Sequence, residues 1–370
     1  MNRASTRLPR SLRVIRTLTL TAAFQLTLGA KATGQVARRI EIPDEPSCAR
    51  CSVELKPLGR LASNDSVSLS PSPNVVRDKK GRLYVMLRGY TQVGVFGANG
   101  KLQKLLGGKG RGPGEFSLIS RIEIVRGDTL LVFDAMLRRV NVLSPTHEFV
   151  RFFPMPVNAQ DFAVVGSHYL IFGDGKSPSS VGQPLHLFTA VGVHERSFGV
   201  EPTIVKPGVR LPVWRIAPSL DLSSVWAAPL SVYEIAKLNE RGQSDFTIVR
   251  RAAWFPPHDT ISDAQRNGKE RMPPGVLEVA EIAPARLLVI LGRSDLLFGK
   301  VEMKDGTIVG RPPIPITQLE VIDIATQKVV ARSMVERPIY PLSGDMLYSF
   351  ETDSNGEKSI LLWQVVVNPS

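Results

Sequence analysis

The chain has 370 residues, 43% of them apolar and 22% charged, a balance that allows a sizeable core and excludes the disordered and collagen-like classes. Its formal charge of +12 points toward nucleic acid, yet Arg3, Arg7, Arg10, Arg13, Arg16 and Lys31 fall in the first 32 residues, which hold no Asp or Glu. Without that segment the excess is +6, too modest to support a nucleic-acid partner.

Residues 1–32 combine the basic start with an apolar stretch, Leu18 to Ala30, and then Ala30-Lys31-Ala32, the small-x-small pattern of a signal-peptidase site. They are predicted to be a secretory signal. The competing reading, an uncleaved anchor, has too few apolar residues for a spanning helix, which needs about 20. No Cys follows Gly29-Ala30 to carry a lipid. No later stretch has the apolar length of a span, so the remaining chain is expected to be soluble, and periplasmic or secreted.

Residues 33–51 form a lead-in that contains Cys48-Ala49-Arg50-Cys51. Two close thiols in an oxidising compartment are expected to pair, and so short a loop gives little entropic gain. A haem attachment needs His where Ser52 stands, and zinc needs two further ligands. A redox CxxC opens a helix in a βαβ setting, unlike this neighbourhood. A structural disulfide is the leading reading, with redox activity and partner-dependent metal binding left open.

From residue 52 onward short strand-like runs alternate with turns. Gly81–Leu87, Gln92–Phe96 and Lys101–Leu106 are three such runs, the last two joined through Asn99-Gly100, a strong hairpin signal. The phrase returns with four runs in Arg121–Val125, Thr129–Phe133, Arg139–Leu143 and Phe149–Phe153. Weaker copies follow, and their second strands centre on Tyr84, Leu131, Leu170, Val225, Leu288 and Leu347, 39 to 63 residues apart. Four short strands per unit at this period predict an all-β, six-bladed β-propeller of four-stranded antiparallel blades over 52–370. The sixth copy lacks a fourth strand after Val365-Val366-Val367, and Ser52 to Pro57 is expected to supply it and close the ring. Two long insertions, Trp254 to Gly275 and Gly299 to Pro315, interrupt the rhythm. The first has room for a helix over Asp263 to Lys269, the second for a hairpin around Lys304-Asp305-Gly306. Either insertion is as well suited to specificity as to an inert connection.

The stretch Gly107-Gly108-Lys109-Gly110-Arg111-Gly112-Pro113-Gly114-Glu115-Phe116 resembles the G-x-G-x-G-P-G-E-F phrase of NHL-like six-bladed propellers of exported bacterial proteins. Val132-Phe133-Asp134 with Arg139-Val140 is similar to the family's V-x-D…R-V pairing, and Asp78 to Val85 to its strand opening. The first copy has Arg88-Gly89-Tyr90 where the family has an Asp, and Ser117 replaces a Pro. The resemblance implies a fold and no single activity, because such rings host enzymes, binders and scaffolds. The glycines also have a reading of their own: they permit tight backbone approach, and Phe116 plugs the gap between neighbouring sheets. No phosphate-cradle spacing is present.

His147, His168, His186, His194 and His258 lack metalloprotease spacing, and no G-x-S-x-G elbow occurs. Lactonase-like propellers, which this fold resembles, gather acids on an axial Ca²⁺; the candidates here are Glu115, Asp161, Asp221, Glu278 and Glu281, each of which also suits a turn or a solvated surface. Arg210, Trp214, Arg215, Arg250, Arg251 and Trp254 form a loose aromatic and basic grouping that suits a ligand rim, or blade core and solvated edge. The expected function is that of a monomeric ligand-binding or interaction module of the cell envelope, whose partner is a small molecule or an envelope protein and which needs no cofactor. The alternative is a Ca-dependent hydrolase or lyase with an axial site.

Overall fold

A computed structural model describes residues 38–368 apart from 63–66, 71–72, 176–181, 200–212, 259–271, 299–301, 305–306, 310–313 and 354–355. The signal segment, Arg210 and the helix expected over Asp263 to Lys269 lie outside the described residues.

Two strands, β1 (Arg38–Ile42) and β2 (Ser52–Ala62), precede six meanders. The first sheet contains β3 (Val75–Arg77), β4 (Leu83–Met86), β5 (Gln92–Phe96) and β6 (Leu102–Gly107), and the second β7 (Ile119–Val125), β8 (Thr129–Asp134), β9 (Arg139–Leu143) and β10 (Phe149–Pro154). The third has β11 (Val157–Val165), β12 (His168–Gly175), β13 (Leu185–Thr189) and β14 (His194–Phe198). In the fourth are β15 (Trp214–Pro218), β16 (Ser224–Pro229), β17 (Glu234–Asn239) and β18 (Ser244–Arg250). The fifth pairs β19 (Gly275–Ala283) with β20 (Arg286–Phe298), then, past the hairpin β21 (Glu302–Lys304) and β22 (Thr307–Val309), β23 (Ile314–Asp323) and β24 (Lys328–Val335). That hairpin lies where the sequence predicts one. The sixth takes β25 (Tyr340–Ser343), β26 (Met346–Thr352) and β27 (Lys358–Asn368), and β2 completes it, with Ser52 opposite Asn368 and Leu61 opposite Ile360.

Buried Val, Ile, Leu and aromatic side chains fill the gaps between successive sheets. Val76, Tyr84, Val93 and Phe116 pack with Ile122, Leu130 and Val132 between the first and second sheets. Corresponding clusters lie in each following gap. The last gap brings Tyr348, Ile360 and Leu362 of the sixth sheet onto Val75, Leu83 and Val85 of the first. The first strands touch in the cycle β3, β7, β11, β15, β19, β25 and back to β3, so the six sheets close a ring around an axis.

Phe116 is fully buried, as its plugging role requires. A Cβ on Gly107, at φ +82°, would stand 2.2 Å from the Phe116 ring, so only glycine admits the plug there. Asp134 accepts hydrogen bonds from Ser117 N (2.7 Å) and Leu118 N (3.2 Å), while Arg139 donates to the carbonyls of Arg111, Gly112 and Glu115. The acid and the Arg of the V-x-D…R-V pairing, register partners on β8 and β9, thus turn their side chains to one crossover loop.

The lead-in has structure that its composition does not announce. β1 adds a fifth strand, parallel to β18, to the fourth sheet. The chain then crosses the outer edge of the fifth sheet, where Ser47 N donates to Val329 O (2.9 Å) and Arg332 N to Cys51 O (3.3 Å), and enters β2. The Cys48–Cys51 disulfide lies in this strap. Beneath it, the fully buried side chains of Arg250 and Glu320 pair at 2.9 Å, and Arg250 donates to the carbonyls of Pro43 and Asp44. Glu320 also accepts from Arg332 Nε (2.8 Å), Tyr233 Oη (2.7 Å) and Gln318 Nε2 (2.7 Å). Three blades are thereby tied to one N-terminal segment.

Candidate functional site

Side chains alternate along a strand, so a first strand turns every second residue to the axis. In β7, Ile122 is buried between the first two sheets, while Arg121 and Glu123 on either side of it face the lumen and line a cavity of about 290 Å³. Its walls come from all six blades: Asn74 and Arg77, Arg121 and Glu123, Phe162, Ile216 to Leu220, Glu278 to Glu281, and Tyr340 to Gly344 with Tyr348. The turns after β15 and β25 contribute Ser219, Leu220, Leu222 and Gly344, so the cavity reaches the face that carries the first-to-second-strand turns. Those turns lean together. Arg126 Nη2 donates to Asp221 O (3.2 Å), Gly166 N to Leu222 O (2.6 Å) and Leu220 N to Glu281 Oε2 (3.2 Å). Because the strands alternate in direction, the insertions after β18 and β20 leave from the opposite face.

A charged cluster crosses the lumen. Arg121 Nη1 stands 2.8 Å from Asp161 Oδ1 and Arg121 Nη2 3.7 Å from Glu123 Oε2. Asp161 also accepts from Phe162 N (2.9 Å) and Ile216 N (3.0 Å), which ties β11 to β15. Burial pushes the Glu123 carboxyl up to about 7, against the pull of Arg121 and with a push from Asp161. Only 19% of the Glu123 side chain is open, at the cavity it lines. Glu278 is likewise pushed up to about 7 by burial, opposed by Arg215 and Arg121 and aided by Asp161. Burial raises the Tyr348 phenol, whose hydroxyl donates to Pro73 O (3.1 Å). Among the described residues, the Nε atoms of Arg121 and Arg215 are buried donors with no acceptor.

The acids do not form a calcium cage. Asp161 and Glu278 come into one electrostatic cluster, but with Arg121 and Arg215 among them, and Glu281 is held by Leu220 N and by Trp226 Nε1 (3.3 Å). Glu115 accepts from Gly112 N in the glycine-rich loop. Asp221 takes hydrogen bonds from Ser219 and Ser223, which hold it down to about 2. Among the described residues no three Asp, Glu, His or Cys side chains stand close enough to share an ion.

The aromatic and basic grouping read from the sequence is spread over several environments. Arg215 joins the axial cluster beside Glu278. Trp214 is buried between the third and fourth sheets, and Arg250 lies under the strap. Arg251 is 81% exposed, and Trp254 lies under the Arg293 guanidinium at 4.3 Å. A second cavity, about 330 Å³ between the second and third sheets, has Asp134 and Arg139 in its wall, both engaged by the crossover loop.

Known proteins match this architecture. A family model described as a 6-bladed beta-propeller, DUF5128, matches residues 60–181, which contain the glycine-rich phrase. The chain is a six-bladed β-propeller. An exported-type protein from Bacteroides fragilis NCTC 9343 is similar in structure at a TM-score of 0.59 and 12% identity, over 89% of this chain and 99% of that one. A DUF4221 member from Bacteroides vulgatus ATCC 8482 is similar at 0.62 and 9%, over 86% and 99%. The NHL-like resemblance is borne out at the level of this propeller. Virginiamycin B lyase from Staphylococcus aureus, at 0.44 and 10% over 84% and 99%, is too distant to carry chemistry across. No curated protein matches in sequence.

Proposed function

We propose that this propeller is an exported ligand-binding module of the cell envelope and that its site is the axial cavity. The observation that carries this reading is the cavity wall itself, where the Arg121 guanidinium, whose buried Nε has no acceptor, and two carboxyls titrating near neutrality surround a space open to one face. Polar groups left unsatisfied in a buried position cost free energy unless a partner arrives, and native proteins concentrate them at sites of use. A volume of about 290 Å³ suits a small molecule, at the lower end of ligand pockets. The basic, apolar N-terminal segment and the Cys48–Cys51 disulfide both suit an extracytoplasmic setting. A calcium-dependent hydrolase or lyase has less support, because guanidinium groups stand where such a site needs oxygens.

Filling the cavity tests the reading. Ser343 lines it, and Ser343→Trp places an indole in the lumen. Small polar metabolites that raise the melting temperature of the wild type are expected to leave Ser343→Trp unmoved. A panel that stabilises both proteins equally, or neither, refutes the axial site.

A further inference from the structure

The charges on the axis are nearly balanced and can change sign. Around the lumen stand Arg121 and Glu123 on β7, Asp161 on β11, Arg215 on β15 and Glu278 on β19. The sector of β25, β26 and β3 brings Tyr340, Tyr348, Asn74 and Arg77, and Glu281 sits at the turn-bearing end. Within the central five, two guanidinium groups face three carboxyls, a formal charge of −1. One proton makes it neutral, and two make it +1. Glu123 and Glu278 are the groups that accept those protons, since burial already favours their neutral forms.

The geometry adds a direction. Asp161 is committed to Arg121 and to two backbone N–H groups. Arg121 Nη2 reaches Glu123 only at 3.7 Å, beyond hydrogen-bond range, and the Nε atoms of Arg121 and Arg215 have no acceptor. Guanidinium presents a fixed fork of donors that matches planar oxyanions. A neutral Glu123 or Glu278 no longer competes for it. We propose, building on the axial-site reading, that the cavity takes a small oxyanion together with a proton, the oxyanion going to Arg121, backed by the charge of Arg215, and the proton to Glu123 or Glu278.

The proton comes from solvent and no bond is made or broken in the ligand. Binding therefore tightens as pH falls. For a single carboxyl titrating near 7, the protonated fraction drops from about 0.9 at pH 6 to about 0.1 at pH 8, so the dissociation constant rises roughly tenfold over that interval, and more if both carboxyls are involved.

Calorimetric titration of the full chain with sodium glucuronate, sodium benzoate and sodium sulfate, none of which titrates between pH 6 and pH 8, with glucose as the neutral control, tests this at those two pH values. At least one anion is expected to bind about tenfold more tightly at pH 6, and which one binds separates a carboxylate from a tetrahedral oxyanion. In Glu123→Gln/Glu278→Gln, whose amides mimic the protonated acids, that anion is expected to bind equally well at both pH values. No anion binding at pH 6, or glucose binding as tightly as the anions, overturns the proposal. Binding that Ser343→Trp abolishes but that ignores pH overturns the proton coupling and keeps the axial site. Binding that tightens at pH 6 yet survives Ser343→Trp unchanged overturns the axial site itself.

Discussion

Removing the two lumenal acids is expected to stabilise the empty ring at alkaline pH. The ordinary value of a Glu carboxyl is 4.5, and in the folded ring Glu123 and Glu278 each titrate near 7. Between those values the native state binds more protons than the unfolded chain, so stability falls as pH rises, and the loss is complete above about 7. The interval, at about 1.4 kcal/mol per pH unit, bounds the cost at roughly 3 kcal/mol per carboxyl. Because the lumen is partly open to water, about 1–3 kcal/mol each is the working range. In Glu123→Gln/Glu278→Gln that loss disappears. Each kcal/mol is worth about 1–2 °C in a domain of this size, so the variant should melt about 3–8 °C above wild type at pH 8 and close to it at pH 4.5. Thermal unfolding across that range, without ligand, reads the difference directly. A gap that stays constant with pH, or a variant less stable at pH 8, would refute the assignment of the neutral forms to the buried acids.

The strap and the interblade plug give further tests. Arg250→Met removes one of the two guanidinium partners of the buried Glu320 carboxylate, leaving Arg332, and frees the carbonyl of Pro43, and should cost about 2–4 kcal/mol in chemical denaturation; a loss under 1 kcal/mol would show the network to be dispensable. Phe116→Ala empties the gap between the first two sheets and should cost about 3–5 kcal/mol, while Gly107→Ala should approach that loss by displacing the same ring. Reducing Cys48–Cys51 opens only a short loop and should lower the melting temperature by a few degrees at most, because β2 remains zipped to β27.

The fold was legible because its signals are local. Asn99-Gly100 and Ser144-Pro145 mark turns, and alternating apolar runs mark the strands they join. The fourth strand missing from the last copy pointed back to Ser52 as the closing strand, which pairs there. Shorter elements escaped. Val75 to Arg77 is only three residues long, and Arg38 to Ile42 pairs with a partner some two hundred residues away, a relation that no local pattern encodes. The axial site was half visible. In the sequence Asp161, Glu278 and Arg215 suit other roles, an ion and a rim, whereas Arg121 and Glu123 sit inside an ordinary strand phrase. Their signal was present, since Arg-Ile-Glu-Ile puts two charges on the lumenal side of a first strand. Which charges meet across the axis depends on the register of six sheets, and a single sequence does not carry it.

The strand that seals the ring stands at one end of the chain and its partner at the other, with Ser52 set against Asn368. During synthesis, β1 must remain unpaired until Arg250 has been made and β2 until Asn368 has. Contacts of such separation slow folding, and waiting edges invite wrong partners. Lys56 and Arg60, on either side of the half-exposed Leu58, keep that waiting strand charged along part of its length. Registration of the ends is thus a late event. The walls of the axis come from β3, β7, β11, β15, β19 and β25, so the strand that seals the ring last stands at its rim and lines none of the cavity.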